Sequence, residues 1–166
     1  AYVAQDNFLF DTSIRENLKI AKADATDEEI QAALKAANCL ELIERLPEGL
    51  NSNAGDCGKF LSGGERQRIT LARAMLADAQ CIILDEATAY ADVENEAKIQ
   101  EALSRLMNDK TLIVVAHRLN TIVGADQIMV LGHGKIESIG THKELIQNSS
   151  AYQKLWQSYS GKEVVE

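Results

Sequence analysis

The chain has 166 residues, of which 46% are hydrophobic and 25% are charged, a composition that predicts one globular domain. Its formal charge of −8 argues against binding to nucleic acid, which depends on basic patches. The longest aliphatic run near its middle, residues 112–116, is far shorter than the roughly 20 residues of a membrane helix. Its three cysteines lack paired metal-ligand spacing, which predicts reduced thiols without a metal or disulfide role.

The first part of the chain predicts one short strand followed by helices. Residues 2–4 are expected to end a strand, and Gln5 begins a polar exit from it. Capping boxes, in which a hydroxyl and a later carboxylate bond each other's backbone amides, mark helix starts at Ser13 and Thr26. Apolar residues at helical spacing after Thr26 predict an amphipathic helix. Turn formers across residues 47–60 predict a loop.

A further capping-box pattern, from Ser62 to Glu65, differs because it contains two glycines. Capping alone would explain Ser62 and Glu65, and that structural interpretation stays open. Gly63 and Gly64 weaken a helix, however, so a close approach to the backbone should require them. A phosphate at a helix N-terminus needs such an approach, since free amides and the helix dipole point towards it. The pattern therefore indicates an anion site at the start of a helix that runs to about residue 77.

An apolar run over residues 81–84 ends abruptly in Asp85 and Glu86. Such a run fits a strand that is buried on both faces of a parallel sheet. Ligands of parallel sheets bind beyond the carboxyl ends of the strands. The two carboxylates are therefore placed to hold a metal ion and to activate a water molecule.

Strand and helix signals continue to alternate beyond this point. A second buried strand is predicted over residues 111–116, and His117 follows it directly. A hairpin is predicted around residues 132–134. Thr141 with Glu144 marks the start of another helix, and a last helix completes the chain.

Two strings, LSGGE at residues 61–65 and CIILDE at residues 81–86, resemble the signature sequence and the Walker B strand of ABC transporter ATPase domains. Each string alone is a weak signal, but the pair in this order and spacing is specific. The resemblance favours members of exporter type and implies the α/β P-loop NTPase (RecA-like) fold of ABC ATPases, in truncated form. A helical subdomain over residues 1–76 would precede part of the parallel-sheet core over residues 77–166.

The resemblance implies that ATP and Mg²⁺ are the cofactors and that four residues serve them. Asp85 resembles the aspartate that holds Mg²⁺, and Glu86 resembles the general base for the attacking water. His117 resembles the switch histidine that contacts the γ-phosphate. Gln5 resembles the glutamine that reaches both Mg²⁺ and the water.

In this family two domains pair head to tail, and each signature sequence covers the ATP that the other domain holds. The resemblance therefore implies a second ABC ATPase domain, identical or related, as a partner. Asp92 resembles the aspartate of the D-loop at the dimer seam, although Tyr90-Ala91 stands where many members have Ala-Leu. The implied contacts to the shared nucleotide come from Ser62, Gly63, Gly64, Glu65 and Asp92.

The resemblance also implies contact with the transmembrane domain of a transporter. The loop of Gln5 and residues 53–58 correspond to segments that touch that domain, although Asp56 stands where exporter-type members have Glu. The implied location is the cytoplasmic face of the cell membrane. The implied function is to couple ATP binding and hydrolysis to transport.

One motif of the family is not found in the sequence. The phosphate-cradling pattern G-x-x-x-x-G-K-[ST] does not occur in it, and the resemblance covers about the last two-thirds of the domain. The chain alone is therefore expected to bind ATP weakly or not at all, and its strand at residues 111–116 is expected to expose an apolar edge. Two alternatives stay open: a soluble ABC ATPase of DNA repair or translation, and a non-enzymatic module that cannot hold ATP alone.

Overall fold

The computed structural model describes residues 1–85, 93–106, 110–116 and 119–163. The chain forms two compact units, Ala1–Val115 and Ala116–Glu166. The division near residue 77, between a helical subdomain and the sheet core, stays a prediction. In the first unit, helices and strands from both sides of that position share one hydrophobic core.

The first unit contains a parallel sheet in the order β1 (Tyr2–Val3), β2 (Cys81–Asp85) and β3 (Thr111–Val115). The middle strand, β2, pairs with β1 and β3 in parallel. Val3 lies opposite Leu84, and the last residues of β2 and β3 lie opposite each other. The carboxyl ends of all three strands therefore meet at one edge of the sheet, and the parallel arrangement predicted from the sequence is confirmed.

The sheet is less buried than the sequence predicts. In β2, Ile82 and Leu84 are buried but Cys81 is exposed, so the prediction of burial on both faces is wrong. The prediction of a buried β3 is also wrong, because Ile113 is 48% exposed and Val115 is 46% exposed. The reason is that β3 pairs only with β2 within the described ranges, so it lies at the edge that the sequence predicts to be apolar.

The central helix of the first unit is α4 (Gly63–Leu76). It packs against α1 (Ile14–Lys19), α2 (Asp27–Ala36), α5 (Val93–Leu106) and strand β1, while α3 (Leu40–Arg45) lies beside α2. The apolar faces of these helices meet in one core, as their helical spacing predicts. This core includes Leu18, Ile30, Leu34, Ile69, Leu71, Ile82, Leu84 and Ile99.

Side-chain caps begin several helices where the sequence predicts them. Complete capping boxes form at Thr26, Ser62 and Thr141, each with the glutamate three residues later. At Ser13 the hydroxyl accepts a hydrogen bond from the Glu16 amide at 3.1 Å, which is the hydroxyl half of the pattern. The local pattern therefore locates these helix starts correctly.

The second unit is an antiparallel hairpin with two helices. Strands β4 (Ile128–Gly132) and β5 (Lys135–Gly140) join through a two-residue turn, His133–Gly134, which confirms the predicted hairpin. Helices α6 (His142–Asn148) and α7 (Ser150–Glu163) pack against β5 and against each other. Within the described ranges, no helix combines the length and apolar character of a membrane span. The core of this unit consists of Ile128, Val130, Leu145 and Tyr152.

Candidate functional site

Two predicted site residues, Gln5 and Asp85, lie at or just beyond the carboxyl edge of the parallel sheet. Strand β1 ends at Val3, and Gln5 follows two residues later, while β2 ends at Asp85. Because Val3 lies opposite Leu84, the backbone that carries Gln5 leaves the sheet beside Asp85. Ligands of parallel sheets bind beyond this edge, so both residues lie where such a ligand is expected.

A tight turn sets the course of the chain at Gln5. The amide of Asn7 donates to the carbonyl of Ala4 at 3.4 Å, and its side-chain nitrogen donates to the carbonyl of Gln5 at 3.2 Å. Asn7 is buried and has φ = 45°, in the left-handed region that asparagine tolerates better than most residues. The turn therefore holds the Gln5 backbone at the sheet edge.

Tyr2 contacts the predicted metal ligand from the neighbouring strand. Its hydroxyl donates to Asp85 Oδ2 at 2.9 Å, and this hydrogen bond is the main reason that the pKa of Tyr2 is raised. Tyr2 lies opposite Ile83, so it shares a sheet face with Asp85, two residues further along β2. Sequence analysis missed Tyr2 because only the strand register reveals this contact.

The signature segment forms the N-terminus of α4. The Ser62 amide donates to Glu65 Oε2 at 2.8 Å, and the Glu65 amide donates to Ser62 Oγ at 3.3 Å. Ser62 is exposed, Gly63 is half-buried and Gly64 is buried. The start of the helix is therefore accessible at Ser62 and, in part, at Gly63.

The carboxylate of Glu65 is held by two partners. Burial alone would raise its pKa, but the hydrogen bond from the Ser62 amide and the ion pair with Arg45 outweigh burial, so the pKa lies below its ordinary value. An ionised Glu65 is the form that accepts the Ser62 hydrogen bond. The capping box is therefore intact at neutral pH.

The loop at residues 53–58 lies against the segment that follows Gln5. The amide of Ala54 donates to the carbonyl of Thr12 at 2.9 Å, and Ser13 forms a β-bridge with Asn53. The loop at residues 53–58 thus adjoins the chain seven to eight residues after Gln5.

Two arginines of α4 tie the signature helix to neighbouring segments. Arg66 donates to the carbonyl of Leu61 at 2.7 Å. Arg73 donates to the carbonyl of Phe8 at 3.2 Å and to that of Asn17 at 2.9 Å. Sequence analysis assigned neither arginine a role; the partners of Arg73 lie 56 and 65 residues away, where only the fold brings them close.

Three predicted site residues, Glu86, Asp92 and His117, lie outside the described residues. In the sequence, Glu86 follows Asp85 directly, and His117 comes two residues after the end of β3. Their roles stay predictions.

The described donors at the sheet edge suit magnesium. Mg²⁺ prefers oxygen ligands and binds through one or two carboxylates together with water and substrate phosphates. Asp85 supplies a carboxylate, and Gln5 can supply an amide oxygen. These two donors therefore fit the part of a Mg²⁺ coordination sphere that a protein supplies.

Comparison with known proteins identifies relatives across the chain. The family described as ABC transporter matches residues 1–89. The chain is 48% identical to the mycobactin import ATP-binding/permease protein of Mycolicibacterium thermoresistibile, and the match covers 95% of the chain and 17% of that protein. It is also 48% identical to the ATP-dependent lipid A-core flippase of Desulfotalea psychrophila, over 94% of the chain and 27% of that protein.

A solved structure agrees with the fold. The structure of a bacterial Atm1-family ABC exporter with ATP bound matches with a TM-score of 0.86 and 34% sequence identity. The match covers 95% of this chain and 28% of the exporter chain. The chain thus spans less than a third of the length of the proteins that it resembles.

Proposed function

This chain belongs to the ABC transporter family as part of its ATP-binding domain, and we propose that it serves a complete domain that hydrolyses ATP to drive transport. The observation that carries the proposal is the register of the parallel sheet, which sets Gln5 and Asp85 at one edge. Carboxylate and amide oxygens at that edge suit the Mg²⁺ of a nucleotide. The chain spans only part of its relatives, so the activity proposed is that of the longer protein.

The proposed metal ligands are Asp85 and Gln5. A bound Mg²⁺ neutralises charge on the phosphates of ATP during transfer. Asp85 offers its carboxylate from the end of β2, and the turn at Asn7 holds the Gln5 segment beside it. The protein would thus contribute position and the carboxylate that holds Mg²⁺, and the metal would supply the positive charge on which phosphoryl transfer depends.

Glu86 is the proposed general base and His117 the proposed contact of the γ-phosphate. The family resemblance supports both roles, as does their place in the sequence: Glu86 comes directly after the strand end at Asp85, and His117 comes two residues after the strand end at Val115. Glu86 would accept the proton of the attacking water, and His117 would hold the γ-phosphate against it.

The proposed partner is a second ABC ATPase domain, identical or related. Its ATP would be covered by Ser62, Gly63, Gly64, Glu65 and Asp92. The N-terminus of α4 supports this role, because it is exposed at Ser62 and half-exposed at Gly63, and a helix N-terminus attracts a phosphate. The capping box holds Ser62 in place for that contact.

The proposed contact with a transmembrane domain involves the Gln5 loop and residues 53–58. The hydrogen bond between Ala54 and Thr12 supports a single contact surface, because it joins residues 53–58 to the segment that follows Gln5. The corresponding location is the cytoplasmic face of the membrane. Relatives named for lipid A flipping and for mycobactin import match equally well, so the proposal concerns the ATPase step and not the cargo.

The proposal is tested by replacing the general base in the full-length protein. Glu86→Gln should lower ATP turnover about 10²- to 10⁴-fold, since the variant keeps the shape of the side chain but cannot accept a proton. ATP binding, measured with a fluorescent nucleotide, should be retained. Glu28→Gln is the matched control, because Glu28 is exposed on α2. Near-normal turnover in Glu86→Gln would show that the assignment of the base is wrong.

A further inference from the structure

We propose that Tyr2 is a positioning residue for the magnesium ligand Asp85. The inference rests on the proposed function, in which Asp85 binds Mg²⁺, and it concerns how that carboxylate is held. The observation is the 2.9 Å hydrogen bond from the Tyr2 hydroxyl to Asp85 Oδ2. This bond joins two strands, each of which leads to a proposed metal ligand.

The strand register makes this contact possible. Tyr2 lies opposite Ile83, and side chains two residues apart on a strand share a face, so Tyr2 and Asp85 project from the same face of the sheet. The phenol ring spans the diagonal between neighbouring strands with only two rotatable side-chain bonds. A tyrosine is thus long and rigid enough to reach the carboxylate from β1.

The neutral charge of the tyrosine hydroxyl also suits it to orient Asp85. A phenol is a neutral donor, so it orients Asp85 without neutralising the negative charge that attracts Mg²⁺. One carboxylate oxygen receives the hydroxyl hydrogen bond, which leaves the other oxygen, Oδ1, for the metal or its water. An arginine or lysine at the same position would compete with the cation for this charge.

The position of Tyr2 favours a role at the site over a role in packing. Its hydroxyl bonds the half-buried carboxylate at the end of β2 and no described group of the hydrophobic core. Removal of the hydroxyl should therefore leave the fold intact while freeing Asp85 to rotate. Hydrogen bonds that orient metal ligands commonly influence metal affinity in this way.

The test uses the full-length protein with Mn²⁺ as a probe of the magnesium site. The concentration of unbound Mn²⁺ is measured by electron paramagnetic resonance in the presence of adenylyl imidodiphosphate, an ATP analogue that is not hydrolysed. Tyr2→Phe should weaken Mn²⁺ binding about three- to tenfold, the range expected from one hydrogen bond to a ligand, and should leave metal-free nucleotide binding unchanged. Equal thermal unfolding of the variant and the parent protein verifies the fold.

Two further variants separate the possible outcomes. Tyr152→Phe is the matched control, because it removes a hydroxyl that pairs with His142 and should leave Mn²⁺ binding unchanged. Asp85→Asn should weaken Mn²⁺ binding more than Tyr2→Phe does. If Asp85→Asn weakens binding but Tyr2→Phe binds Mn²⁺ normally or more tightly, the inference about Tyr2 is wrong and the proposed function stands. If Asp85→Asn also binds Mn²⁺ normally, the proposed metal site itself is wrong, and the role of Tyr2 is lost with it.

Discussion

Gly58, at the end of the loop before α4, shows how a single residue determines the geometry beside the site. Its φ is +72°, in the left-handed region, and a Cβ atom there would lie 2.7 Å from Arg66 Cδ and 3.2 Å from Leu9 Cδ1. Arg66 cannot move freely, because its guanidinium donates to the carbonyl of Leu61 directly before the signature segment. A side chain at Gly58 would therefore disturb the approach to α4.

At the residue scale we expect Gly58→Ala to destabilise the protein by about 2 to 4 kcal/mol, from left-handed strain together with overpacking. Gly49→Ala is the matched control, since Gly49 has φ = +55° but its nearest contacts for a Cβ are at 3.9 Å. It should cost only about 1 kcal/mol, the strain alone. Chemical denaturation measures both changes, and equal costs for the two variants would contradict the packing argument.

At the scale of elements, the capping boxes of α2 and α4 are equivalent in structure but not in their proposed role. In both, a hydroxyl accepts from the amide of the glutamate three residues later at 3.3 Å, at Thr26 in α2 and at Ser62 in α4. Only the α4 box contains the two glycines, and only that helix start is assigned to a nucleotide. The pair therefore separates capping from ligand contact.

We expect Ser62→Ala and Thr26→Ala each to cost about 1 kcal/mol of stability, because each removes one helix cap. ATP hydrolysis by the full-length protein should fall in Ser62→Ala beyond any loss seen in Thr26→Ala. Denaturation curves and steady-state ATPase assays of the two variants provide the comparison. If both variants lose the same activity, Ser62 acts only as a cap.

At the scale of the whole molecule, the proposed function makes the described site one part of a nucleotide site. The sheet edge offers metal ligands, and α4 offers an accessible N-terminus, but the 166-residue sequence has no G-x-x-x-x-G-K-[ST] string to cradle the phosphates. The half-exposed apolar residues Ile113 and Val115 on edge strand β3 show that this sheet can accept further packing. Strong ATP binding is therefore expected only in a larger assembly.

The corresponding prediction is that residues 1–166 alone bind Mg·ATP with a dissociation constant weaker than about 1 mM, which corresponds to roughly 4 kcal/mol of binding free energy. Isothermal titration calorimetry on the isolated chain measures this, with circular dichroism to verify its helices. Micromolar binding by the isolated chain would falsify the prediction.

Much of the fold follows from local patterns. The capping boxes, the apolar helix stripes and the hairpin at His133–Gly134 were all predictable, because each depends on residues close together in the sequence. The placement of Asp85 at a strand end was predictable for the same reason. Burial of β2 and β3 was not, because an apolar run specifies a strand but not how many faces its neighbours cover.

The sequence by itself determined the family, the α/β class and the identity of the proposed ligands, since motif spacing and hydrophobic period are properties of the chain alone. Only the tertiary structure decided that Tyr2 bonds Asp85 and that Arg73 of α4 reaches the carbonyl of Phe8. The reason is physical: these partners lie 83 and 65 residues apart, and strand register and helix packing bring them within hydrogen-bonding distance.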